Sequence, residues 1–157
     1  MEGTIKADKT INSNLRILHI DDDEVDRRKV ERALSKMDVK LPLHSVQDGQ
    51  EALELLKGEE GESILNNPLL ILLDLNMPRV SGIEFLERIR KEPGLKRAVI
   101  LVFTTSNDES DKIRAYEHNV AGYMLKTENP AQFKETMRII KDYISSVQFP
   151  SLVSSAA

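Results

Sequence analysis

Strand-like and helix-like segments alternate five times along this chain, and the strand-like ones are apolar at consecutive positions instead of every second one. A strand that offers apolar side chains to both sides needs both sides covered, as in a parallel sheet with helices packed on each face. Leu69-Leu70-Ile71-Leu72-Leu73 and Ala98-Val99-Ile100-Leu101-Val102-Phe103 are the clearest cases. The periodicities predict strands near 15–20, 41–46, 69–73, 98–103 and 121–125, and helices near 24–38, 49–58, 82–91, 107–119 and 129–147. Right-handed βαβ crossovers then build an α/β doubly wound sandwich.

The first helix carries Val25, Val30, Ala33, Leu34 and Met37 as one apolar stripe. The last opens at Asn129-Pro130, a capping residue followed by proline at the first helical position, and runs Phe133, Met137, Ile140, Ile144 and Val147 down one face. Residues 1–13 are polar and read as a flexible arm, 14–147 as one folded unit, and 148–157 as a tail. The stretch from Lys57 to Pro68 is longer than a tight connection requires and reads as a frayed helix end and loop. With 157 residues, 40% of them hydrophobic, the chain can bury one substantial core. The absence of cysteine excludes disulfides and thiolate zinc sites. A formal charge of −4 supplies no basic face for nucleic acid, and Arg27-Arg28-Lys29 and Lys96-Arg97 read as solvated charges. No apolar run reaches membrane-span length and the N-terminus has no signal-peptide core, so a soluble, cytoplasmic protein is expected.

Ligands bind outside the C-terminal ends of strands in open α/β sheets. Asp74 closes the third strand where Leu75-Asn76-Met77-Pro78 breaks the chain, and the first strand ends in Asp21-Asp22-Asp23. If those strands are neighbours, Asp21, Asp22 and Asp74 form an acidic cluster that resists full ionisation unless a cation neutralises it. A small, hard divalent ion such as Mg2+ suits oxygen donors of this kind. The plainer reading has Asp21 to Asp23 capping the first helix. The fourth strand ends in Thr104-Thr105-Ser106-Asn107, where Ser106 or Asn107 reads as a helix cap and Thr104 as a ligand-facing hydroxyl. Lys126 ends the fifth strand and, alone, would be an ordinary surface charge. The conjunction says more. Carboxylates, a divalent cation, a hydroxyl and an ammonium on one edge are what a phosphoryl group transferred to a carboxylate requires.

These residues make the chain resemble the receiver domain of two-component response regulators over roughly residues 14–147. The resemblance rests on Asp21-Asp22, on Asp74-Leu75-Asn76-Met77-Pro78, on Thr104, and on Lys126 preceded by Gly122-Tyr123; the spacing to Lys126 selects Thr104 over Thr105. It implies a flavodoxin-like (βα)5 fold with strand order 2-1-3-4-5. It also implies that Asp74 accepts a phosphoryl group from a sensor histidine kinase. Asp22, Asp74 and the backbone carbonyl of Asn76 would hold Mg2+, with Asp21 acting largely through water. Lys126 would pair with the phosphoryl oxygens, and Thr104 and Tyr123 would switch the surface of the fourth helix, fifth strand and fifth helix. Tyr123 has a plain alternative as a strand aromatic with a wet hydroxyl.

The long segment before the third strand, Thr104-Thr105-Ser106 and the extended last helix resemble single-domain regulators paired with phytochrome-type kinases, which often dimerise through that same surface. Two departures stand out: Thr127 follows Lys126 where the family usually has proline, and Asn119-Val120 stands for the usual Gly-Ala, asparagine being tolerant of a left-handed turn. Gly82 reads as permitting a tight turn, Met77 as bordering the pocket, Arg79 as a solvated loop charge, and His19, His44 and His118 as structural. An aspartyl-phosphate hydrolase of the haloacid-dehalogenase class would want an acid where Asn76 stands. A nucleotide or flavin binder would want a glycine- or hydroxyl-rich first loop, whereas Asp21 to Asp23 would repel phosphate. A degenerate receiver would lack one of the five site residues.

Overall fold

The computed structural model describes residues 14–58 and 67–152; the expected N-terminal arm, most of the expected loop before the third strand, and residues 153–157 of the tail lie outside the described residues. The elements are β1 (Arg16–Ile20), α1 (Glu24–Lys36), β2 (Leu43–Val46), α2 (Gly49–Lys57), β3 (Leu69–Leu73), α3 (Gly82–Lys91), β4 (Val99–Thr104), α4 (Glu109–Glu117), β5 (Gly122–Leu125) and α5 (Pro130–Ser146). All five strands are parallel, in the order β2-β1-β3-β4-β5, which is the flavodoxin-like arrangement expected.

Strand parity divides the core. Leu15, Ile17, Leu70, Leu72, Leu101 and Phe103 pack with Val30 and Leu34 of α1 and with Met137, Ile140 and Ile144 of α5. Leu18, Ile20, Leu69, Ile71, Leu73, Ile100 and Val102 turn the other way, onto Leu53 and Leu56 of α2, Ile83, Leu86 and Ile89 of α3, and Ala115 of α4. Each strand thus feeds two cores, so its sequence shows no alternation. β3 lies at the centre and is buried along its whole length.

Two helices differ from expectation at their starts. Val25, expected in the apolar stripe of α1, is 64% exposed in its first turn, and the buried face of the helix is carried by Val30 and Leu34. α4 begins two residues late: Asp108, not Ser106 or Asn107, is its N-cap, accepting from the Ser110 N–H at 2.8 Å. At the other end of the chain Phe149 packs edge-on against Tyr143, with ring centroids 5.6 Å apart, and Leu152 is buried.

Candidate functional site

The β1–β3 register pairs Ile20 with Leu73, so the next residues along, Asp21 and Asp74, emerge side by side. Both share the parity of the strand residues that face α1 and α5. The same holds for Lys126, two residues beyond Met124 on β5. The sheet therefore aims two carboxylates and an ammonium into one space beneath α1. Backbone bonds extend the ladder past the strand ends: Asp74 N–H donates to the Ile20 carbonyl at 3.0 Å and Lys126 N–H to the Thr104 carbonyl at 2.7 Å.

Asp21, Asp22 and Asp74 each bring one carboxylate oxygen to within 4.8 Å of the others. Asp21 and Asp74 are buried and Asp22 is exposed, so the cluster opens to solvent on one side. The competing capping role falls to Asp23 alone, whose carboxylate accepts from the Val25 N–H at 2.8 Å. An all-oxygen donor set of three carboxylates fits a hard divalent cation.

Lys126 is the counter-ion. Its Nζ stands 2.6 Å from Asp21 Oδ2, 2.9 Å from Asp26 Oδ2 and 3.2 Å from Asp74 Oδ2, with the side chain only 9% exposed. Burial opposes its charge, but the three carboxylates outweigh burial and hold the ammonium protonated well above its ordinary range. Burial likewise pushes Asp74 above the usual carboxylate range, and the Asp21 charge adds to that push. Lys126, the Thr104 hydroxyl and the Asn76 N–H pull the other way without cancelling it. Burial works against the Asp21 charge too, but there His19, Lys126 and the Asp23 N–H prevail and its pKa falls. The asymmetry follows geometry: His19 lies beside Asp21, and the ammonium is closer to Asp21 than to Asp74.

Thr104 is fully buried at the end of β4, its hydroxyl oxygen accepting from the Ser106 N–H at 3.3 Å. Tyr123 is half-buried against the core on the α2–α3–α4 side, and its hydroxyl donates to the Ser106 carbonyl at 2.8 Å. Ser106 itself donates to Asp111 Oδ2 at 2.6 Å, tying this loop to α4. The Asn76 N–H reaches Asp74 Oδ1 at 3.3 Å, so the loop after β3 folds back on the acid that precedes it.

Several residues depart from their sequence reading. Asp26 belongs to the lysine cage although no strand-end pattern marks it. Arg27 is not a solvated charge; its Nη1 donates to the Asp21 carbonyl at 2.6 Å. Arg79 is exposed, as read, but it adopts a left-handed φ of 62° and donates from Nε and Nη2 to Asp48 Oδ2 at 2.9 and 2.6 Å. Gly82 has no positive φ. It is needed for close approach, because a Cβ there would lie 2.5 Å from the Asp74 carbonyl oxygen and 2.6 Å from Leu75 Cα. Met77 packs on the core below the loop. His19 is buried beneath Asp21, its Nε2 at 3.6 Å from Oδ2. Asn119 takes the expected left-handed turn, with φ 61°. Thr127 accepts from the Asn129 N–H at 3.0 Å, so a hydroxyl-stabilised turn leads into α5.

A family model described as the response regulator receiver domain matches residues 17–138. Response regulator Rcp1 of Synechocystis sp. is 35% identical over 136 residues, covering 86% of this chain and 92% of that protein. Among solved structures, the phosphorylated cyanobacterial phytochrome response regulator RcpA superposes with a TM-score of 0.77 at 33% identity, covering 87% of this chain and 98% of that one. The Mn2+-bound form of Rcp1 gives 0.76 at 34% identity, covering 86% and 98%.

Proposed function

The chain belongs to the response regulator receiver domain family, and from that premise we propose that it is a phosphoacceptor switch of the Rcp1 type, with Asp74 accepting the phosphoryl group of a sensor kinase's phosphohistidine. A carboxylate oxygen of Asp74 bonds to phosphorus as the P–N bond breaks, and the electron pair leaves on the imidazole nitrogen, which takes up a proton. The observation that carries this reading is the convergence on Asp74: a lysine ammonium at 3.2 Å, two further acids within one cation's reach, and a buried threonine at the neighbouring strand end.

Asp22, Asp74 and the Asn76 backbone carbonyl would hold Mg2+, with Asp21 acting mainly through water. Bound there, the ion would neutralise charge on the phosphoryl oxygens. Lys126 pairs with one of those oxygens and the Thr104 hydroxyl donates to another. Tyr123 then gives up the Ser106 carbonyl and turns inward. Water later hydrolyses the acyl phosphate, returning the Asp74 carboxylate and inorganic phosphate. The output surface is α4, β5 and α5. Of the large apolar side chains exposed among the described residues, Ile113, Tyr116, Leu125 and Ile139 lie on these elements, and Val25 lies elsewhere. A second copy of the chain docks there to form a homodimer. The phytochrome association of RcpA supports a phytochrome-type kinase as partner; the proposed site of action is the cytoplasm. Among the described residues no helix is long and apolar enough to cross a membrane.

Incubation with acetyl phosphate and Mg2+, read by intact mass, tests the proposal. The wild-type chain gains one phosphoryl group and Asp74→Asn gains none; a gain that survives Asp74→Asn refutes the acceptor assignment.

A further inference from the structure

Asp26 stands apart from the other acids around Lys126. It sits in the first turn of α1, outside the Asp21–Asp22–Asp74 cluster, and its side chain is 25% exposed where those of Asp21 and Asp74 are 0% and 6% exposed. Its Oδ2 lies 2.9 Å from Lys126 Nζ, and among the described residues its carboxylate makes no other ion pair. Asp21 and Asp74, by contrast, carry two duties. Their Oδ2 atoms hold the ammonium, at 2.6 and 3.2 Å, while Asp74 is also a direct donor for a divalent cation and Asp21 holds that cation's water. An ammonium and a divalent cation in contact with the same oxygens repel each other strongly in a site of low dielectric. Lys126 must therefore give up at least one carboxylate when the pocket is loaded. Expelling a mostly buried ammonium into solvent would leave the phosphoryl site without its cation.

We propose that Asp26 is a positioning residue that keeps the Lys126 ammonium at the pocket rim when Asp21 and Asp74 turn to a divalent cation, an inference that rests on the metal reading above. The chemistry suits the task. An ammonium has three donors on a flexible four-carbon stem, so it can release Asp21 and Asp74 while keeping Asp26. The anchor lies on α1 and not on a strand-end loop. Lys126 then stays beside Asp74, ready for the anionic oxygens of an arriving phosphoryl group.

Heteronuclear NMR of the lysine ammonium groups in the isotope-labelled full chain tests this. Lys126 is sheltered enough to give a slowly exchanging ammonium resonance, assigned by its loss in Lys126→Arg. Backbone amide shifts at Asp22 and Leu75 report Mg2+ binding independently. In wild-type protein the ammonium resonance shifts but persists as Mg2+ saturates. In the near-isosteric Asp26→Asn it is present without Mg2+, vanishes on saturation, and Mg2+ affinity falls roughly tenfold, as for loss of an outer-sphere partner. Glu24→Gln removes a nearby first-turn charge that does not touch the lysine, and behaves as wild type. Persistence of the resonance in Mg2+-saturated Asp26→Asn, or its loss in Mg2+-saturated wild type, overturns the inference and leaves the metal site standing. Absence of any Mg2+-dependent amide shift in wild type overturns the metal site and the inference together.

Discussion

At the scale of single residues the pocket gathers Asp21, Asp22, Asp26 and Asp74 around one ammonium, so it carries excess negative charge until a cation arrives. Asp22 is the exposed member and has no cation within ion-pair distance among the described residues. Asp22→Asn therefore raises the melting temperature without metal, by on the order of 2 °C, and abolishes the stabilisation that Mg2+ gives the wild type. Differential scanning calorimetry with and without Mg2+ checks both signs. Asp48 behaves oppositely: buried, it caps α2 through the Glu51 N–H at 2.8 Å and receives Arg79. Burial works against its charge, but those donors win and its pKa drops below the ordinary value. Its contribution is thus present above the unfolded pKa of about 3.9, and fades as pH falls through the lower folded value. Asp48→Ala costs about 1–2 kcal/mol at neutral pH through the lost cap, and the gap to wild type in urea unfolding narrows under acid. Asp21, Asp74 and Lys126 were legible in the sequence because each ends a strand, where parity and position are fixed together. Asp26, Arg27 and Arg79 were not. Their partners are set by how a helix or loop lies over the sheet, which no local pattern encodes.

At the scale of elements the end of β3 is held in place by the helix that follows it. The Gly82 N–H donates to the Leu75 carbonyl at 3.0 Å, and the α3 backbone sits so close that no side chain fits between. Gly82→Ala drives a methyl group into backbone atoms that cannot rotate away, and overpacking of this kind costs about 1–3 kcal/mol. Because those atoms belong to Asp74 and Leu75, the variant also accepts phosphate from acetyl phosphate more slowly than its stability loss alone would predict; intact-mass time courses at a temperature where it remains folded check this. Strands and helices were legible where their apolar pattern was long, as in β3 and α5. The pattern failed at helix starts. Val25 fits the stripe of α1 by spacing yet is exposed, and the cap of α4 is neither Ser106 nor Asn107 but the next residue, Asp108. α4 has just one buried residue, Ala115, so its amphipathic signal is weak and its bounds were overextended.

At the scale of the whole molecule the site and the proposed output surface meet at β5, the edge strand that carries Tyr123 and leads into Lys126. The apolar side chains exposed on α4 and α5 are those on which the proposed homodimer rests. The double variant Ile113→Glu, Ile139→Glu is expected to sediment as a monomer at concentrations where the wild type is a dimer, while still accepting a phosphoryl group. The central claim is that Asp74 becomes an acyl phosphate, and reductive trapping reads that bond itself. Borohydride converts an aspartyl phosphate to homoserine, so peptide mapping of the phosphorylated, reduced chain should find homoserine at position 74 and at no other acid. Homoserine at Asp21, Asp22 or Asp26, or a phosphoryl group that resists borohydride on a hydroxyl side chain, would contradict it.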